Sequence, residues 1–175
     1  GSNISDRKYF KTISGASINS IINDKAIDDN SRIISGNVLT GDQVDVDGFL
    51  GFYHHQLSVI PEGNRHKFFL TDGWLSPGFN SFSASRAYPS WLMPKSKSYN
   101  LDTNLNGEER AFVVSGQYEK VFPFDIYPVQ LLKSIITNDI EKMENLGIYE
   151  VSPEDFALCE FVCTSKVNLQ KIVRE

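Results

Sequence analysis

Cys159 and Cys163 are the only two cysteines among 175 residues, and three residues separate them. That is the spacing of the last pair in a bacterial-type iron–sulfur run, C-x2-C-x2-C-x3-C-P. Laid on this pair, the run puts its first two ligands on Pro153 and Phe156, which cannot bind iron, and its proline on Thr164. The segment therefore reads as the helical scaffold of a cluster domain that lacks the cluster. Two thiolates are half of a tetrahedral metal set, and no other Cys or His lies near them in sequence. Buried free cysteine usually acts as a small packing residue, and that is the preferred reading for both.

The remaining reactive side chains form no set. His54 and His55 would alternate to opposite faces of a strand and so cannot share an ion. His66, across an expected hairpin, could meet one of them, with a sheet-surface or interface role as the default. Asp42, Asp45 and Asp47 look like a calcium loop but lack its sixth-position glycine and twelfth-position glutamate. Gly41, Gly48 and Gly51 do not join a strand to a helix, as a phosphate-binding turn must. No Ser/His/Asp or Cys/His arrangement can be drawn. No catalytic, cofactor-binding or metal-ligating residue is assigned.

Positioning elements follow from periodicity. Residues 9–13 alternate as a strand, Ser17 can cap a short helix through Ile18, Ile21 and Ile22, and residues 32–35 form a second strand ended by Gly36. Residues 37–41 read as a brief extended piece, 49–60 as a long alternating strand, and 67–70 as its partner after the turn at 61–64. Residues 72–110 are rich in Gly, Pro, Ser and Asn, yet carry Trp74, Phe79, Phe82, Tyr88, Trp91 and Tyr99, too many aromatics for a free linker. The period then turns helical. Asp125 is a candidate N-cap for a helix with Pro128 in its first turn and Val129, Leu132, Ile135 and Ile136 along one stripe. A second helix over 139–146 ends at Gly147, and a third starts at Ser152 and Pro153 and runs through Phe161.

The fold class expected is α+β: a small, strongly curved sheet crossed by one helix over residues 1–85, an irregular connector over 86–122, and a helical domain over 123–175. Gly1 and Ser2 read as a cloning remnant, and apolar residues still recur at helical spacing up to Glu175, so a longer parent with a truncated helical domain is expected. A net charge of −5 and a pI near 5.2, with no polybasic run, give no footprint for nucleic acid or an anionic membrane surface. No stretch is long and apolar enough to span a bilayer. So few cysteines point to a reducing compartment.

Several segments taken in order resemble one family, the A subunit of the bacterial sodium-translocating NADH:quinone reductase. They are residues 32–41 (RIISGNVLTG), 49–63 (FLGFYHHQLSVIPEG), Gly73 with Trp74, Pro77 with Gly78, Phe82 with Ser83, 106–110 (NGEER), 116–126 (GQYEKVFPFDI) and 154–163 (EDFALCEFVC). The resemblance implies that residues 1–85 are a small β-grasp-like domain of the soluble-ligand-binding type, and that 123–175 are the helical domain of that subunit, resembling a cluster-less ferredoxin-type helical domain. It also implies a peripheral position on the cytoplasmic side of the bacterial inner membrane, with the other subunits, membrane subunits included, as partners. NADH, flavins, an iron–sulfur cluster and ubiquinone would be used elsewhere in the complex. Related subunits hold clusters in the equivalent helical domain, which agrees with the spacing argument at Cys159 and Cys163. The function expected is docking and assembly without a redox centre; the alternative is a quinone- or small-ligand-binding module. Trp74, Phe79, Phe82 and Trp91 are the candidate contacts, either stacking on a planar quinone ring or burying into the domain or into a neighbour in the complex. The second of these is preferred.

Overall fold

The computed structural model describes residues 3–4, 7–22, 30–64, 67–71, 73, 75–84, 86–112 and 116–175. The chain divides into two compact units, Gly1–Asn106 and Gly107–Glu175, and its class is mixed α+β.

In the first unit, helix α1 (Ile18–Ile22) is followed by strands β1 (Ser31–Ser35), β2 (Asp42–Gln43) and β3 (Leu57–Pro61). The sheet order is β2-β1-β3 with antiparallel pairing, Ile33 opposite Val59 and Ile34 opposite Gln43. Five residues of helix cannot hold themselves together. Helix α1 persists because Ile18 and Ile22 bury with Ile33 and Val59. One helix laid on a small sheet is the β-grasp-like arrangement expected.

Three expected strands differ among the described residues, and backbone pairing explains each. Residues 9–13 look extended in sequence but are exposed and join no strand of the described sheet, which leaves a strand's ladder of N–H and C=O groups unformed. Residues 67–70 run into a turn, and β3 pairs with β1 in their place. Of the alternating run 49–60, only the part from Leu57 onward is strand, because earlier residues fold back as a loop. The piece at 37–41 is a turn. The Asn37 side-chain oxygen accepts from the backbone N–H groups of Leu39 and Thr40 at 2.7 and 2.9 Å, an Asx-type turn joining β1 to β2.

The irregular stretch beyond residue 67 is tied to the end of the sheet. Arg32 Nε donates to Glu62 Oε2 at 2.9 Å, the Thr103 hydroxyl donates to Glu62 Oε1 at 3.0 Å, and the Gly63 N–H donates to Thr103 Oγ1 at 2.7 Å. The hydrogen bond from Arg32 holds the Glu62 carboxyl below its ordinary range.

The second unit holds helices α2 (Pro128–Ile136), α3 (Ile140–Asn145), α4 (Ala157–Val162) and α5 (Leu169–Arg174), with 3-10 turns at Tyr118–Lys120 and Pro153–Phe156. Helix α2 begins one residue after Tyr127 and not from Asp125, since Pro128 has the fixed φ and missing N–H that suit a first helical position. Asp139 accepts from the Lys142 N–H at the start of α3, and Asn168 does the same for Lys171 at α5. Gly147 takes φ 86°, the left-handed conformation expected of it after α3. Asp155 reaches back to the Ser152 N–H at 2.7 Å, as the proline-started turn requires. On α2 the buried stripe is Val129, Leu131 and Leu132 with Ile135 packed beside it, whereas Ile136 is 53% exposed.

Leu132→Ala is expected to cost about 2–5 kcal/mol in urea unfolding, the usual range for emptying a sealed core position. Ile136→Ala on the same helix is expected to change stability by less than about 0.5 kcal/mol. Equal costs would mean that the stripe is wrongly placed.

Candidate functional site

Helix α4 puts Cys159 and the residue that closes it, Cys163, one turn apart on one face. That face turns inward: Cys159 has no exposed surface and Cys163 has 2%. Tyr118, from the 3-10 turn, meets both. Its hydroxyl lies 2.8 Å from Cys163 Sγ, and its backbone carbonyl accepts a long contact from Cys159 Sγ at 3.8 Å. The Tyr118 ring also tilts against Phe112, with centroids 5.9 Å apart.

The positions that would carry the first two cluster ligands are used otherwise. Pro153 starts the capped turn, and Phe156 is fully buried with its ring 4.8 Å from that of Phe122. Aromatic carbon thus packs in the same core as the two sulfurs. Burial, with smaller contributions from the charges of Glu119 and Cys163, pushes the Cys159 thiol up to about 12. Burial, then the hydrogen bond with Cys163, raises Tyr118 as well. A thiol held neutral is a poor nucleophile and a poor metal ligand. Among the described residues, no group of three or more His, Cys, Asp and Glu side chains is placed to hold a metal ion.

The aromatic candidates lie in the first unit. Trp74 falls outside the described residues. Phe79, Phe82 and Trp91 are 57, 47 and 58% exposed. Phe82 packs edge-on to Tyr99 at 5.8 Å, the Arg86 guanidinium sits 5.8 Å from the Trp91 ring, and Lys97 donates to the Phe79 carbonyl at 2.6 Å. Tyr99 has a buried hydroxyl with no hydrogen-bond partner among the described residues.

The histidines also differ from expectation. His54 and His55 sit in the loop before β3, not on a strand. His54 turns inward, its Nδ1 2.8 Å from Ser35 Oγ, while His55 is exposed and His66 lies outside the described residues. Asp42, Asp45 and Asp47 are exposed around the start of the same loop. Sequence reasoning gave Tyr118 no role and counted Tyr99 only among the aromatics of the irregular segment. The only signal for Tyr118 was its place among Phe112, Val121 and Phe122 ahead of a helical segment, which marks core but no particular partner.

A family model described as the NQRA C-terminal domain matches residues 1–46. Curated relatives align over nearly the whole chain, each named as the A subunit of a Na(+)-translocating NADH-quinone reductase. The protein of Hahella chejuensis is 40% identical over 176 residues, covering 100% of this chain and 38% of the relative. That of Shewanella frigidimarina is 38% identical over 169 residues, covering 96% and 37%. That of Rhodopirellula baltica is 39% identical over 178 residues, covering 100% and 38%. The chain therefore spans less than two fifths of the length of these relatives.

The raised thiol of Cys159 sets a pH dependence. An acid whose folded pKa lies above its unfolded value adds stability that is complete below the unfolded pKa and is lost as pH rises toward the folded one. The window runs from the ordinary value of 9.0 up to about 12. Stability by urea unfolding is expected to fall by about 1.4 kcal/mol between pH 8 and pH 10, one proton's worth over the upper unit. Cys159→Ala should remove most of that slope while lowering stability at pH 7. A slope unchanged in the variant would show that the thiol is not the titrating group.

Proposed function

The chain belongs to the family of A subunits of the Na(+)-translocating NADH-quinone reductases, and we propose that it serves such an enzyme as a docking and assembly part without a redox centre of its own. Its partners on this reading are the other subunits, the membrane subunits included, with NADH, flavins, the iron–sulfur cluster and ubiquinone handled elsewhere in the complex. Its position is peripheral, on the cytoplasmic face of the inner membrane. Among the described residues, no helix is long and apolar enough to cross a membrane.

The observation that carries this reading is where the first unit spends its large apolar side chains. Phe68, Phe79, Trp91, Leu92 and Leu105 are all 57–66% exposed, on backbone that has almost no regular structure. Irregular segments built this way are held in place by their surroundings and present anchors outward. Bulky aromatic anchors are what dominate binding energy when a partner covers them. The second unit supports the same reading from the opposite direction, since its only thiols are spent on packing against Tyr118.

A quinone-binding reading has one specific observation in its favour. The Tyr99 hydroxyl is buried beside the Phe82 ring and unpartnered among the described residues, and a ligand carbonyl would satisfy a donor that otherwise costs about 1–3 kcal/mol to leave unmade. On that reading, a water-soluble quinone quenches tryptophan fluorescence saturably, and Tyr99→Phe weakens the effect.

In the assembled enzyme, Trp91→Ala is expected to lower retention of this subunit on purification several-fold while NADH oxidation by the flavin-bearing partner is unchanged. Normal assembly with specific loss of quinone reduction would overturn the docking reading in favour of the quinone one.

A further inference from the structure

The loop between β2 and β3 is built to hold its backbone still while its largest side chains face solvent. Two backbone bonds clip it to the start of α1: the Leu50 N–H donates to the Ala16 carbonyl at 2.9 Å, and the Ile18 N–H donates to the Gly48 carbonyl at 3.0 Å. A third anchor is Ser35, at the end of β1. Its hydroxyl oxygen accepts from the Gly51 N–H at 2.9 Å and lies 2.8 Å from His54 Nδ1. The His54 N–H closes the turn onto the Gly51 carbonyl, also at 2.9 Å. The packing is close enough that a Cβ on Gly51 would lie 2.6 Å from His54 Nδ1. Yet Phe49, Phe52 and Tyr53 remain 65, 70 and 85% exposed, with Phe52 and Tyr53 edge to face at 5.1 Å.

A core would bury three such rings, and solubility alone gives no reason to keep them. A rigid backbone presenting aromatic anchors has already met the ordering cost that binding would otherwise carry. The charge around them selects the occupant. Asp42, Asp45 and Asp47 are exposed and make no ion pair among the described residues, and no Lys or Arg occurs from Ile33 to Asn64. An anionic leaflet would be repelled by this rim. A cationic rim on a protein would be drawn to it.

We propose that the β2–β3 loop is a docking surface for a protein partner offering an apolar pocket rimmed by lysine or arginine, with Phe49, Phe52 and Tyr53 as anchors and Asp45 and Asp47 as the complementary rim. It rests on the docking reading above and names a second surface for it, distinct in sequence from the segment around Trp91.

The test uses the full-length protein in the assembled enzyme, with the photo-cross-linker p-benzoylphenylalanine in place of Tyr53 and, in a separate preparation, of Trp91. The expected result is a link from position 53 to a peptide of another subunit containing Lys or Arg, its yield cut about tenfold or more at low salt by Asp45→Lys with Asp47→Lys. Because these side chains are exposed, the circular dichroism of the charge-reversed protein should match that of the parent. A link from position 91 but none from 53 would overturn this inference and leave the docking reading standing. No link from either position would overturn both. Links from position 53 to lipid, or binding of the protein to anionic phospholipid vesicles through this loop, would replace the protein partner by a membrane and so overturn it too.

Discussion

No helix among the described residues of the second unit exceeds nine residues, and three of the four have six. Helices that short do not persist in water by themselves. The unit therefore depends on one condition, a shared core sealed by side chains that the helices and turns surrender completely. Leu131 and Leu132 from α2, Cys159 from α4 and Leu169 from α5 all reach zero exposure, and so does Phe156 from the turn before α4. Caps and turns decide where each helix starts and stops, but for α2, α4 and α5 the sealed core decides that it exists.

This condition gives the cysteine pair its physical meaning. In a cluster domain, thiolates hold short helices together by converging on iron. Here Tyr118 meets both sulfurs from inside the core, touching Cys163 through its hydroxyl and Cys159 through its carbonyl, while Phe156 packs on Phe122. A hydrogen-bonded tyrosine and close-packed rings hold the pair inside this core. The same arrangement keeps Cys159 protonated, so the chemistry that thiolate would bring is suppressed by the packing that stabilises the fold.

How much could be read from the sequence depended on whether a signal was local. Gly147 and the Ser152–Asp155 start were legible because a cap satisfies backbone groups within one turn of itself, whereas Asp139, read as the first residue of its helix, is the cap before it. Ile136 was misplaced on the buried stripe because position on a helix face does not tell how far a neighbour extends over it. The β half was harder. The alternation from Phe49 to Gln56 looks like a strand, but backbone groups of Leu50, Gly51 and Gln56 are claimed by Ala16, Ser35 and Gly36, residues far away in the chain. Alternation also misled at residues 9–13, which no strand of the described sheet takes up. The candidate site divided the same way. The mismatch of Pro153 and Phe156 with a cluster run could be read locally, whereas the partnership of the cysteines with Tyr118 spans more than 40 residues and needed the fold.

The proposal that Cys159 and Cys163 are packing residues of a redox-silent scaffold is tested most directly by iron and acid-labile sulfide analysis of the purified chain, with electron paramagnetic resonance after dithionite reduction. A tyrosine-bridged pair in an aromatic core predicts background iron and sulfide, no visible absorption band and no resonance. Stoichiometric iron and sulfide that Cys159→Ala abolishes would contradict it.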